Sequence, residues 1–414
     1  MKDFILALAC TSFLVLVMGF IYKKIKRSFL SEPIIALAMG IVLGPAVLNL
    51  LDMHKWGPFE KILDAACQLT ISMALMATAF RIPKSYAEKH WRLQSILLFF
   101  GMLGMCALST LLMRLVFGFD WLICLLIGAV ITPTDPVVSS TVVSGETARQ
   151  LIPDRVRHAI SFESAANDGM AFPLVLLPLL LLQKPEGAWQ EWLLKPVLWE
   201  TGGGILFGVL IGYTAGKLLV KARNINWMTK SVLLSFSLSL GFTVLGLLEI
   251  IKSNGILGVF AAGFAANLVL DKDEDLEQEE IQESLERIFT IPIFVLFGLV
   301  LPWSDWWALG WNAVIIVVAV LLFRRLPVIF ALGPFLKKLP KKADLVMVGW
   351  FGPIGVAAIY YMALTLSKTG MHEVWVVGSL IVFGSTIVHG LTGYPFAKLY
   401  SRWESNDKSK EETK

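Results

Sequence analysis

Apolar runs of about 20 residues recur along this chain, separated by short polar connections. As helix, at 1.5 Å per residue, such a run covers the roughly 30 Å of hydrocarbon in a bilayer. Inside hydrocarbon every backbone amide must find a partner within the protein, which favours helices over open strands. Apolar residues make up 56% of the 414 and charged residues only 16%, far from the balance of a soluble domain. The chain therefore reads as an all-α polytopic membrane protein with about 13 transmembrane helices. Polar and helix-breaking residues concentrate in the fifth (121–142), sixth (159–182), eleventh (311–332), twelfth (345–366) and thirteenth (373–397) of these segments.

Basic residues set the orientation. Placing residues 23–27 (Lys-Lys-Ile-Lys-Arg) in the cytoplasm and letting the chain alternate puts 28 of the 36 Lys and Arg on the inner side and 8 outside. That is the bias that orients membrane proteins. The N-terminus is then outside and the tail cytoplasmic, in the cell membrane, with a bacterial inner membrane as the expected home. The net charge of +4 reflects this topology, not nucleic-acid binding. All four cysteines (Cys10, Cys67, Cys106, Cys124) fall in apolar segments, so neither a disulfide framework nor a metal centre is indicated, and no cofactor is expected. Ala7-Leu8-Ala9-Cys10 resembles a lipoprotein cleavage site, yet the apolar run continues beyond it and reads as the first membrane helix. The acidic insert 271–287 reads as a solvated cytoplasmic connector, with a regulatory or cation-attracting surface helix as the alternative.

Two segments break their own helices. Pro133 and Pro136 bracket Thr134 and Asp135 in segment five, and Gly352-Pro353 does the same in segment twelve. Proline removes an amide donor and clashes with the preceding turn, while glycine tolerates unwound backbone. Non-helical backbone at membrane depth is tolerated where it is buried in protein or lines a cavity. One interrupted helix at the same place in each half points to inverted repeats with two crossing broken helices. At such a crossing Asp135 can balance exposed helix ends, and Thr134 offers hard oxygen ligands suited to an alkali cation.

Segment six carries a second intramembrane carboxylate. Glu163, Ser164, Asn167 and Asp168 fall at i, i+1, i+4 and i+5, on one helix face within about 140°. A charge at this depth costs roughly 2.5–3.5 kcal/mol on insertion scales, so such groups usually bind or move something. Burial favours the protonated form of a carboxyl and a nearby cation favours the ionised form. A single buried carboxylate therefore holds a proton or a cation, and that competition couples two fluxes when the empty site cannot cross. Asp168 is the expected carrier. Arg324 and Arg325 interrupt segment eleven and are expected to compensate charge or helix ends there, with one of them as a simple marker of the cytoplasmic end in the alternative. His389 in segment thirteen reads as a packing histidine.

These residues together resemble the sodium/proton exchanger family of the monovalent cation:proton antiporter superfamily. The matching pieces are Leu43-Gly44-Pro45, Thr132-Pro133-Thr134-Asp135-Pro136, Glu163-Ser164-Ala165-Ala166-Asn167-Asp168-Gly169, the two arginines and the Gly-Pro break. The stretches 163–173 and 349–357 look most similar to the fungal plasma-membrane alkali-cation/proton antiporters, without their long tail. The resemblance implies exchange of Na⁺, with Li⁺ or K⁺ as further cargo, for H⁺ by an elevator-type homodimer in the bilayer. It implies a dimerisation domain (1–92 and 221–302), a core (93–198 and 303–400), a linker helix (199–220) and a short tail (401–414). Asp168, Asp135, Thr134, Asn167, Glu163 and Ser164 would surround the cargo, and the Asn-Asp pair resembles that of members described as electroneutral. One departure stands out. Ile354 replaces an arginine that pairs with the glutamate in many bacterial members, so unless another cation substitutes, Glu163 is expected to stand alone and to be protonated or a second cation ligand.

The K⁺/H⁺ antiporters of the same family form the nearest alternative, because the same oxygens serve both ions. An intramembrane aspartyl protease, from another class, would need a Tyr-Asp and a Gly-x-Gly-Asp where this chain has Thr-Asp and Asn-Asp. A cation channel is the third reading.

Overall fold

The computed structural model describes residues 2–26, 28–225, 227, 232–270 and 275–412, all of them helices and their connections. In chain order the main helices are α1 (Lys2–Phe20), α2 (Glu32–Leu43), α3 (Phe59–Arg81) and α4 (Lys84–Phe117). The broken α5 (Trp121–Val130, then Ser140–Val143) leads to α6 (Asp154–Gln183), α7 (Ala188–Asn224), α8 (Val232–Ile250) and α9 (Gly255–Val269). Next in order are α10 (Asp275–Leu299), α11 (Trp311–Phe335), the broken α12 (Lys342–Trp350, then Val356–Thr369) and α13 (His372–Glu412). Among the described residues six helices are long and apolar enough to cross a membrane, namely α3, α4, α6, α7, α11 and α13. The fold is that of a multi-pass membrane protein.

Helix ends depart from the apolar runs. Residues 271–274 of the acidic insert lie outside the described residues, but α10 begins at Asp275, thirteen residues before its apolar run, and α13 continues to Glu412. Hydropathy marks the depth of hydrocarbon, whereas a helix continues as long as its backbone bonds are satisfied.

Two sets of contacts organise the helices. α7 lies directly on α9, and α10 on α2 and α3. The close approach of α7 to α9 follows from Gly204, Gly208, Gly212 and Gly216, spaced by four on one helix face. A Cβ on Gly212 would sit 2.0 Å from the Ala262 carbonyl oxygen and one on Gly208 2.3 Å from that of Gly258. The second set surrounds the breaks: α4 packs on α5 and α11, α6 on α5, and α13 on α11 and α12. At its cytoplasmic end under the expected topology, the Arg155 guanidinium donates to both oxygens of the fully buried Asp344 (3.0 and 3.1 Å) and to Glu404 (3.0 Å). The Tyr400 hydroxyl donates to Asp344 as well (2.5 Å), so α6, α12 and α13 share one ionic knot.

Gly212→Val is expected to destabilise the fold by about 1–3 kcal/mol, the usual effect of forcing bulk into a filled contact. The apparent melting temperature of the purified protein in detergent reads this; an unchanged midpoint would mean α7 and α9 separate freely.

Candidate functional site

The two breaks touch. The first half of α5 ends at Val130 and the chain runs without helix through Pro133 to Pro136, where the Asp135 amide donates to the Pro353 carbonyl (2.8 Å). Each break exposes carbonyls at the end of a first half-helix and amides at the start of a second, partial charges that are costly inside a membrane. One carboxylate and one guanidinium meet them. Asp135 Oδ1 accepts from the amides of Val137 (2.6 Å) and Val138 (3.2 Å), and Oδ2 from that of Val356 (2.5 Å). Arg324 donates to the carbonyls of Ile131 (2.8 Å) and Thr132 (2.9 Å) and to that of Gly352. The anion sits at amide ends of both helices and the cation at carbonyl ends of both. Gly355 lets the carboxylate in, since a Cβ there would lie 1.9 Å from Asp135 Oδ2.

Serine and histidine complete the caps of α12. Ser385 Oγ accepts from the Ile354 amide (2.8 Å), and His389 Nε2 lies 3.0 Å from the Trp350 carbonyl. His389 is thus more than the packing residue expected, because it also occupies the carbonyl end of the first half of α12.

Glu163 does not stand alone. The Arg325 guanidinium, one residue after the arginine that caps the breaks, donates to both carboxylate oxygens at 2.9 Å. Its Nε donates to the Val348 carbonyl (2.9 Å). The expectation of an unpartnered, protonated or ion-liganding Glu163 is corrected by this geometry. Another cation does substitute for the arginine absent at position 354: Arg325 reaches Glu163 from a neighbouring helix. Both members are buried, and a bidentate fork compensates desolvation better than a single contact does.

Asn167 and Thr134 tie α6 to the break of α5. Asn167 Nδ2 donates to Thr134 Oγ1 (2.8 Å) and Glu163 Oε1 (2.9 Å), while its Oδ1 accepts from the Thr134 amide (3.0 Å). The hydroxyls of Thr134 and Ser164 are 2.9 Å apart. Asp168 comes directly after Asn167 and is as buried as the other two carboxylates, but unlike theirs its Oδ1 has no hydrogen-bond partner among the described residues. Pro133 and Pro136 frame the unwound stretch and Gly352 and Pro353 lie in the facing one, as the sequence anticipates.

Two contacts were not anticipated. The Tyr361 hydroxyl donates to the Asp168 main-chain carbonyl (2.5 Å), and Asn254 Nδ2 to that of Gly169 (3.0 Å). The signal for the second was present in the sequence: Pro173 cannot supply the amide that a helix directs at residue 169. Nothing local names the donor that replaces it.

With the two breaks and their carboxylates placed, the transmembrane sodium/hydrogen exchanger profile matches residues 11–399. The chain belongs to the sodium/hydrogen exchanger family. That is a family of transporters, not enzymes. The chain is 29% identical over 356 residues to the Na(+)/H(+) antiporter 2 of Zygosaccharomyces rouxii, covering 84% of this chain and 44% of that protein. It is 27% identical over 397 residues to the Na(+)/H(+) antiporter of Schizosaccharomyces pombe, covering 89% and 84%. A K(+)/H(+) antiporter NhaP of Alkalimonas amylolytica is 26% identical over 313 residues, 72% of this chain and 50% of that one. The chain spans half or less of the length of two of these relatives, those of Zygosaccharomyces rouxii and Alkalimonas amylolytica. The sodium proton antiporter MjNhaP1 from Methanocaldococcus jannaschii shares the fold, with a TM-score of 0.74, 15% identity and coverage of 96% and 98%.

Arg325→Met is expected to reduce stability by about 3–5 kcal/mol by leaving Glu163 charged and unpaired in the interior. The double variant with Glu163→Gln should regain most of that loss. Thermal melting of the two purified variants checks this, and equal melting of the single and double variants would break the assigned pairing.

Proposed function

We propose that this chain is a secondary active antiporter that exchanges Na⁺, with Li⁺ and K⁺ as further cargo, for H⁺. One observation carries the reading. Of the three carboxylates gathered at the breaks, Asp135 is held by helix amides and Glu163 by Arg325, while Asp168 keeps a buried oxygen without a partner among the described residues. A carboxylate in that position binds a proton or a cation in competition. Thr134, Ser164 and Asn167 supply the neutral oxygens beside it, Asp135 and Glu163 organise the surroundings, and Arg324 and Arg325 compensate their charge. The Na⁺ reading is favoured over K⁺ because the two fungal relatives described above, named Na(+)/H(+) antiporters, align with 84% and 89% of the chain, and the Alkalimonas relative named for K⁺ with 72%.

In this reading thirteen segments cross the cell membrane, bacterial inner membrane included, with the N-terminus outside and the tail in the cytoplasm. A dimerisation domain (1–92 and 221–302), joined to the core by the linker 199–220, anchors a homodimer in lipid, and the core (93–198 and 303–400) moves against it with Asp168 aboard. Alternating access then arises from rigid motion rather than from remodelling of the breaks.

The test is initial-rate exchange in proteoliposomes with Na⁺, K⁺ and Li⁺ in turn. The expected result is cation-dependent collapse of an imposed pH gradient, fastest with Na⁺, and reduction to the rate of protein-free liposomes in Asp168→Asn. Undiminished exchange in that variant would remove Asp168 from the mechanism, and no exchange with any of the three ions would remove the function.

A further inference from the structure

A proline five residues beyond Asp168 opens the helix at the residue next to the carrier. Pro173 in α6 has no amide proton for the Gly169 carbonyl and crowds it sterically. The amide that replaces it comes from outside the core: Asn254 Nδ2 donates to Gly169 O at 3.0 Å. Asn254 is the N-cap of α9, where its Oδ1 accepts from the Leu257 amide at 3.0 Å. Gly169 itself meets the first turn of α9, and a Cβ there would lie 2.6 Å from that of Leu257. The Asn254 side chain is buried and also lines a cavity of about 310 Å³ shared with Asp64, Glu200, Tyr360 and Lys368. Under the proposed topology this cavity faces the outside.

We propose that Asn254 is a positioning residue: its amide latches the dimerisation domain to the freed carbonyl beside Asp168, and so sets how much of the carrier stands in the outward-loading conformation. This rests on the antiport reading, in which α6 moves and α9 does not. The latch bond must break on every passage of the core. Its strength therefore biases one end of the cycle, and a carrier less often in its loading conformation shows a weaker apparent affinity from that side by the same factor.

The two halves of the side chain separate the roles. Asn254→Asp keeps the capping oxygen, since Asp and Asn are equivalent N-caps, but it puts a carboxylate against a carbonyl. Asn254→Ser keeps a cap and is too short to reach Gly169. In proteoliposomes with Na⁺ offered on the outer face, both variants are expected to raise the apparent KM about three- to tenfold, with kcat changed less. The KM ratio of Asn254→Asp to parent should return toward one as pH falls, because a protonated carboxyl donates to the carbonyl again; Asn254→Ser should show no such return. A capping role alone predicts parental KM in both at every pH. That result, in folded variants beside an actively exchanging parent, overturns the latch. A parent without exchange overturns the function instead, and a pH-dependent return in Asn254→Ser equally discards the proposal.

Discussion

The structure depends on four helix ends that meet in the middle of a membrane. Each broken helix leaves unpaired carbonyls and amides where no water satisfies them, and every such group would cost several kcal/mol if left alone. Arg324 and Asp135 answer all four ends with two side chains. The fixed geometry of guanidinium and carboxylate suits the task, as each presents several bonding sites in one plane. With the ends satisfied, the unwound stretch through Thr134 meets Asn167 of α6.

The remaining polar groups then form a ladder. Arg325 holds Glu163, Glu163 and Thr134 hold Asn167, and Asn167 places Asp168 next along the helix. The groups of this ladder from Arg325 to Asn167 have partners, while the buried Asp168 Oδ1 has none among the described residues. Buried polar networks of this kind are stabilising only when fully satisfied, and in the proposed antiport the proton or cation held at Asp168 completes this one.

Much of this was legible in the sequence. Hydropathy gave the class, and prolines paired with polar residues located the breaks, because both signals are local to the chain. The face shared by Glu163, Ser164, Asn167 and Asp168 followed from helical periodicity alone. Partners across the fold did not. The sequence marks Arg325 as a compensating charge and leaves its partner Glu163 open, since its reach depends on how the helices pack. The same holds for Asn254 and Tyr361, whose hydrogen bonds join positions 85 and 193 residues apart. Helix lengths also outran the apolar runs, because solvent polarity does not end a helix.

The pairing of Arg325 with Glu163 has an electrical consequence. At the crossing the two arginines and two of the three aspartate and glutamate side chains cancel, and Asp168 remains as the unbalanced charge. Adding either one proton or one monovalent cation brings that inventory to zero. The membrane voltage performs work of about 2.3 kcal/mol per elementary charge per 100 mV on whatever it drives across. On a loaded site of zero charge it performs none. In the proposed antiport the guanidinium of Arg325, by balancing Glu163, would leave the loaded site neutral and the two concentration gradients as the driving forces.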